Sequence, residues 1–336
     1  MNKTVSFRSS ILKIENSKIF IKDTDLKLSR IGLGTANACI KYRKEEFFNI
    51  LNEYTYYEGN LIDTANIYSN WVNGESSRSE KSIGDWLQRS HKRKEVIILT
   101  KGGHPHFYGN LMSSTPRVNM IDIRTDLENS LKNLHTDYID IYCFHRDDSR
   151  MDVGDLIEIM ETFVNEGKIR YYACSNWQVD RMIKAKEYCK QKGYRGFVAN
   201  ECMNNICCKY INLKDTSLSV MNSEMTEYHM KNTSIIPIGY SCICGGFLYK
   251  LNKSKNDLYE SRNAIECAKL VKNIAESNAY TITQIALAYI YSQQINCIPL
   301  YEPQNHVQIR EIMQWITSAG FQNDVNKIFY LLNSSI

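Results

Sequence analysis

Short, nearly continuous apolar runs alternate along this chain with longer stretches in which apolar residues recur every three or four positions. Eight runs read as strands: residues 30–34, 59–63, 96–100, 138–144, 169–174, 196–200, 235–240 and 296–300. Apolar runs with little polar alternation are expected of strands covered on both faces. The gaps between them carry helical periodicity at 44–54, 79–89, 121–134, 155–166, 179–192 and 282–293. Ile83 and Leu87 stand four apart, and Ile123, Leu127, Leu131 and Leu134 mark a single helix face. Gly167 and Gly193 suit helix C-termini, and Thr281 suits an N-cap. Strand and helix alternating eight times predict an α/β protein built as a (β/α)8 TIM barrel. We expect a single domain over 1–336, with the barrel at about 29–318 and a C-terminal helical extension. A β-hairpin is expected at about 10–21, with Ile11, Leu12 and Ile14 on one arm, a turn at Asn16-Ser17, then Ile19 and Phe20. It would cap the barrel floor.

The competing fold, a doubly wound dinucleotide-binding sheet, requires G-x-G-x-x-G after the first strand. Gly32-Leu33-Gly34-Thr35-Ala36-Asn37 lacks the third glycine, and no P-loop occurs. Hydrophobic residues at 43% and charged residues at 23% exclude global disorder. The net charge of +4 comes from 41 basic and 37 acidic residues with signs interleaved, which argues against a nucleic-acid surface. No apolar run of about 18 residues suggests a membrane span. Met1 to Phe7 has no apolar signal core, so a cytoplasmic location is expected. Eleven cysteines, an odd number, then read as reduced thiols. Cys202, Cys207, Cys208, Cys242 and Cys244 do not keep metal-ligand spacing, and His104-Pro105-His106 reads as part of a loop or pocket, so no metal is expected. Nothing in the pattern specifies an oligomeric state.

Chemistry-bearing residues recur where the apolar runs stop: Asp63, Lys101, His145, Ser175-Asn176, Glu201 and Tyr240. Each alone has an ordinary explanation, such as a helix-capping aspartate or a satisfied structural histidine. Together they fall on the rim where barrel enzymes carry their active sites.

These residues lie in segments that resemble the aldo-keto reductases. Asp63-Thr64-Ala65-Asn66-Ile67-Tyr68 looks like the family's Asp-Thr-Ala-x-x-Tyr, and Ser79 to Gly84 like the Ser-Glu-x-x-Leu-Gly that follows it. Thr100-Lys101-Gly102-Gly103, Tyr138 to His145, Ser175-Asn176-Trp177 and Ile236 to Ser241 match in order, so the resemblance runs from about Ile31 to Arg310. It implies the same barrel, NADPH or NADH as cofactor, and a small-molecule carbonyl compound as substrate. Carried over by position, it implies Tyr68 as proton donor, Lys101 as the charge that makes its phenol a stronger acid, Asp63 as the partner of Lys101, and His145 as the group orienting the substrate oxygen.

The same resemblance implies cofactor contacts at Thr35, Ala36, Asp63, Ser175, Asn176, Glu201, Tyr240, Ser241, Cys242, Ile243, Gln304, Gln308 and Glu311. Three residues depart from the family pattern. Glu201 stands where glutamine is usual, and an ionised carboxylate lacks the amide donor. Glu302 and Gln304 replace the glycine and arginine of a segment that normally meets the adenosine phosphate, which leaves the choice between NADPH and NADH open. The connection from Gly102 to Asn119 is longer than an ordinary βα loop and reads as a lid or pocket wall, and Asn204 to Thr216 as a second cover. Trp71, His104, Phe107 and Trp177 are the expected substrate-pocket residues, with core packing the alternative for the two tryptophans. The rival to a reductase is a non-catalytic nucleotide-binding or regulatory barrel of the same fold.

Overall fold

In a computed structural model, which describes residues 18–40, 42–72, 74–108, 111–211, 213–250 and 257–334, the eight apolar runs close into one parallel barrel. The described strands are β1 (Lys18–Phe20), β2 (Lys27–Ser29), β3 (Gly32–Gly34), β4 (Leu61–Asp63), β5 (Ile97–Gly102), β6 (Phe107–Tyr108), β7 (Leu111–Met112), β8 (Ile139–Phe144), β9 (Ile169–Ser175), β10 (Ala199–Met203), β11 (Ile236–Tyr240) and β12 (Ile298–Tyr301). The α-helices are α1 (Lys44–Tyr56), α2 (Arg78–Ser90), α3 (Met120–Leu134), α4 (Val153–Asn165), α5 (Val179–Lys192), α6 (Ser223–Lys231), α7 (Arg262–Asn278), α8 (Ile282–Tyr291), α9 (His306–Thr317) and α10 (Phe321–Ser334). The barrel runs β3-β4-β5-β8-β9-β10-β11-β12 and closes by pairing Leu300 with Gly32. No helix among the described residues is long and apolar enough to cross a membrane.

Strand alternation produces two cores. Leu61, Leu99, Ile141, Ala173, Ala199, Ile236 and Ile298 point inward and fill the barrel. Their neighbours Ile62, Ile98, Tyr142, Tyr172 and Cys202 point outward and pack with the helices. Inside the barrel Gly32 leaves room for Leu300, whose methyl group would lie 2.6 Å from a Cβ placed there.

Two expectations shift. The hairpin that closes the barrel floor pairs Ile19 with Leu28, so its described arms are β1 and β2; Ile11 to Asn16 lie outside the described residues. Asn60, just before β4, holds β2 by accepting from Ser29 N at 2.7 Å and donating to the Lys27 carbonyl at 2.8 Å. The run expected at 196–200 pairs instead over Ala199–Met203. Gly196 has φ +78°, outside strand geometry, and Arg195 takes the Phe197 carbonyl at 2.6 Å. Glu201 therefore lies within a strand, facing inward. The sequence reading also leaves out α6 and α7; Ala264, Ala268, Val271 and Ile274 of α7 nevertheless keep helical spacing and are buried.

Gly84 sets how closely α2 approaches the end of α3: a Cβ there would sit 2.2 Å from the Asn133 carbonyl oxygen and 3.0 Å from Leu134 Cα. Gly84→Ala should therefore destabilise the fold by about 1–3 kcal/mol through overpacking. Urea unfolding should show a lower midpoint with an unchanged slope; an unchanged midpoint would mean that the helices separate freely.

Candidate active site

The inward face of each strand changes character two residues beyond the apolar layer. Above Leu61 stands Asp63, above Leu99 Lys101, above Ala173 Ser175, above Ala199 Glu201 and above Ile238 Tyr240. Period-two geometry thus lifts polar groups from five strands into a single layer at the C-terminal mouth. His145 follows β8 directly and extends its ladder, its amide donating to the Gly102 carbonyl at 2.9 Å. Tyr68 enters from the turn after β4, where its amide donates to the Ala65 carbonyl at 3.0 Å.

Lys101 is the centre of this layer and is fully buried. Its ammonium donates to the Asp63 carboxylate, to the Thr64 carbonyl at 3.1 Å and to the Tyr68 hydroxyl at 3.0 Å. The Glu201 carboxyl lies 3.4 Å away on the remaining side. Burial opposes the charge on Lys101, but Asp63 and Glu201 outweigh it and hold the ammonium well above its ordinary range. Burial raises Asp63 despite Lys101. One ammonium cannot neutralise two buried carboxylates, so burial and the Asp63 charge push Glu201 up to about 8. A protonated Glu201 offers one donor and one acceptor, as a glutamine side chain would.

Tyr68 feels the expected pull of Lys101 together with opposing effects. Lys101 does lower its pKa, but burial and Asp63 raise it more, and the phenol sits above its ordinary range. Tyr68 is thus a neutral phenol near neutral pH. His145 is held well below its usual range by burial, His104 and the charges of Arg146 and Lys101, so it is a neutral imidazole. Its Nδ1 is buried and has no partner among the described residues.

These groups open into a cavity of about 330 Å³. Asp63, Tyr68, His145, Ser175, Asn176, Glu201 and Tyr240 line it, and so do Thr35, Ala36, Ser241, Cys242, Ile243 and Gln304. Asn176, in left-handed backbone at φ +63°, donates to Ser175 Oγ at 2.9 Å and accepts from Tyr240 OH at 2.8 Å. The Thr35 hydroxyl turns away to the Asp63 carbonyl at 2.6 Å, leaving its backbone to line the cavity. Glu302 also lines it, and its carboxylate accepts from the Asn37 amide and, at 2.8 Å, from the Asn37 side chain, tying the loop after β12 to the loop after β3. Gln308 and Glu311 lie on α9 outside the lining; Gln308 accepts from the Gln304 amide at 2.9 Å, and Glu311 is exposed.

The expected pocket residues Trp71, His104 and Phe107 are not among the residues lining this cavity; they form an aromatic cluster packed behind Tyr68 and His145. His104 stacks on Phe107 with centroids 5.4 Å apart and lies 4.6 Å from His145, while Trp71 bridges Phe107 and Tyr68. The base of the long connection after β5 is anchored by Asp126, which receives two bonds from Arg117, at 3.0 and 2.8 Å, and one from Gly103 N at 2.9 Å. Trp177 does not join the pocket: it is fully buried between Phe144 and Phe197 and belongs to the outer core. Among its described residues, the expected cover over 204–216 supplies none to the lining; Leu218, just beyond it, does line the cavity. The sequence reading also passed over Asn37, Tyr42, Arg146, Gly245 and Gly246 as lining residues. The Gly245-Gly246 pair was the available signal for a close approach of backbone to ligand, and both residues have positive φ. All eleven cysteines are free, and no cluster suited to a metal occurs among the described residues.

The model of the Aldo/keto reductase family matches residues 30–328. An uncharacterized oxidoreductase of Bacillus subtilis, YrpG, is 27% identical over 310 residues, covering 88% of this chain and 89% of its own. An aryl-alcohol dehydrogenase of Pestalotiopsis microspora is 26% identical, over 85% of this chain and 72% of its own. An NADP(+) aryl-alcohol dehydrogenase of Phanerodontia chrysosporium is 24% identical, over 77% and 67% respectively.

Between the ordinary carboxylate range and about pH 8 the folded chain keeps the Glu201 proton that the unfolded chain has lost. Stability should therefore be fully present below that window and fall as pH rises through it. Glu201→Gln should abolish this loss, so its melting temperature should exceed wild type by more at pH 9 than at pH 5. An equal difference at both pH values would show that Glu201 ionises normally.

Proposed function

Because the chain belongs to the aldo/keto reductase family, whose members are NAD(P)-dependent oxidoreductases, we propose that it reduces an aldehyde or ketone to an alcohol with Tyr68 as the proton donor. The observation that carries this reading is the Lys101 ammonium shared between the Asp63 carboxylate and the Tyr68 hydroxyl, beside a neutral His145.

The residues present fit a nicotinamide cofactor. Ser175 and Asn176 present a hydroxyl and a carboxamide suited to an amide, Tyr240 offers a ring, and the loop 241–246 offers backbone with no side chain at Gly245 and Gly246. The cofactor supplies the hydride that the carbonyl carbon accepts. As charge develops on the carbonyl oxygen, Tyr68 donates its proton and His145 steadies the oxygen by a hydrogen bond. Lys101 then faces the phenolate and stabilises it, while Asp63 keeps the ammonium in position through the cycle. The raised pKa of Tyr68 is compatible with this role, because the developing alkoxide is a stronger base than phenolate. Glu201, in protonated form, completes the donor set where glutamine is usual.

For the adenosine end we propose a weak preference between NADPH and NADH. Glu302 is engaged by Asn37, and Gln304 is exposed at the cavity edge with only an amide to offer. Arg310, a nearby cation in sequence, pairs with Glu53, and Lys327 lies over the Tyr280 ring, so neither is directed to the cavity.

Tyr68→Phe should lower kcat at least about 100-fold with cofactor affinity nearly kept, measured as NAD(P)H oxidation and fluorescence titration. Near-normal turnover would remove Tyr68 as the acid. Gln304→Arg should tighten NADPH relative to NADH about tenfold, because a guanidinium forms charge-assisted bonds to a phosphate. A wild type that already binds NADPH a hundredfold better than NADH would mean that another cation serves the phosphate.

A further inference from the structure

Arginines in this protein are generally neutralised. Arg117 pairs with Asp126, Arg124 with Glu166, Arg170 with Asp140, Arg181 with Asp147 and Arg150 with Asp148. Arg195 has no carboxylate but donates to the carbonyls of Gly196, Phe197, Lys22 and Ser234. Arg146 differs from all of these. It lines the cavity, and among the described lining residues it is the single lysine or arginine. Its side chain makes one hydrogen bond, from Nη1 to the His145 carbonyl at 3.0 Å, and its buried Nε, like that of Arg195, has no partner among the described residues. The two acidic residues that follow it cannot serve, since Arg181 and Arg150 hold them.

The position of this charge in the cavity is defined by what it acts on. Arg146 depresses the basicity of His104 and His145 and lowers the Tyr240 phenol against its burial. These groups surround the Tyr68 end, whereas Glu302 and Gln304 belong to the loop after β12. A guanidinium beside the hydrogen-bonding groups of a reductase, with donors left over, is suited to an oxyanion. The partly buried setting strengthens that attraction relative to water.

We propose that Arg146 is a specificity-determining residue that selects carbonyl substrates bearing an oxyanion group, a carboxylate or a phosphate monoester, held beside the reacting carbonyl. The proposal rests on the reductase reading above. Trp71 and His104, packed against Tyr68 and His145 outside the cavity lining, would border the apolar part of such a substrate only through those two residues, while Arg146 takes its charged end.

The test compares matched pairs: 4-carboxybenzaldehyde with its methyl ester, and glycolaldehyde phosphate with glycolaldehyde. For at least one pair, wild type should favour the anion at least tenfold in kcat/KM. Arg146→Met should reduce that anion-to-neutral ratio at least tenfold, and Arg146→Lys should restore part of it. The carboxylate and phosphate pairs distinguish the two oxyanion sources. Cofactor titration by fluorescence quenching verifies that each variant is folded. Equal rates on anionic and neutral partners in wild type, or a ratio unmoved in Arg146→Met, would overturn the proposal. Absence of turnover on all four would overturn the reductase reading instead. Calorimetric binding of 4-(hydroxymethyl)benzoate against its methyl ester, to wild type and Arg146→Met with oxidised cofactor present, still decides the role of Arg146 in that case. Tighter binding of the anion to wild type alone supports it, and equal binding removes it.

Discussion

A lysine with no solvent exposure must find its countercharge inside the protein, and much of the barrel mouth is organised by that requirement. Lys101 stands in the polar layer directly above a packed apolar interior, with Asp63 on the neighbouring strand and Glu201 across the mouth. Removing water from an ammonium costs several kcal/mol unless opposite charge and hydrogen bonds offset it. Asp63, the Thr64 carbonyl and the Tyr68 hydroxyl supply that offset. The same contacts aim the phenol at the cavity, so stability and chemistry use one set of bonds.

The second carboxylate makes this site different from a simple ion pair. With both acids ionised, the cluster would carry excess negative charge in a low-dielectric pocket. Proton uptake by Glu201 relieves that excess and restores a glutamine-like pattern of one donor and one acceptor. Near Lys101 and Arg146, the two histidines remain neutral because burial and neighbouring positive charge both disfavour their protonation. The charge left facing the cavity at this end is therefore that of Arg146, while Lys101 stays committed to Asp63.

Rigid elements hold the reacting groups and loops hold the wall around them. Asp63, Lys101, Ser175, Glu201 and Tyr240 stand on ladder-bonded strands, where two-residue periodicity and register fix their height. Gly34, Asn37, Ser241, Gly245, Gly246 and Glu302 belong to strand ends and connections around the rim. Several rim residues have left-handed backbone, which exposes amides and carbonyls without intervening side chains. The bonds from Asn37 to Glu302 join two of these connections across the barrel seam.

The barrel was legible from local pattern because strand burial on both faces and helical periodicity are properties of consecutive residues. The same pattern exposed Asp63, Lys101, His145, Ser175, Asn176 and Tyr240 as groups recurring at strand ends. It missed the pairing of Ile19 with Leu28 and misplaced the sixth barrel strand, since pairing partners are chosen across space and the ladder beyond Gly196 starts where backbone geometry permits it. It left Trp177 open between pocket and core because lining a cavity and packing behind it need the same residue type. Only the folded chain decided the protonation of Glu201, the upward shift of Tyr68 and the unpaired charge of Arg146. Each of these depends on how many charges from distant strands and loops share one dry volume, and a sequence gives the identities of those charges without their distances.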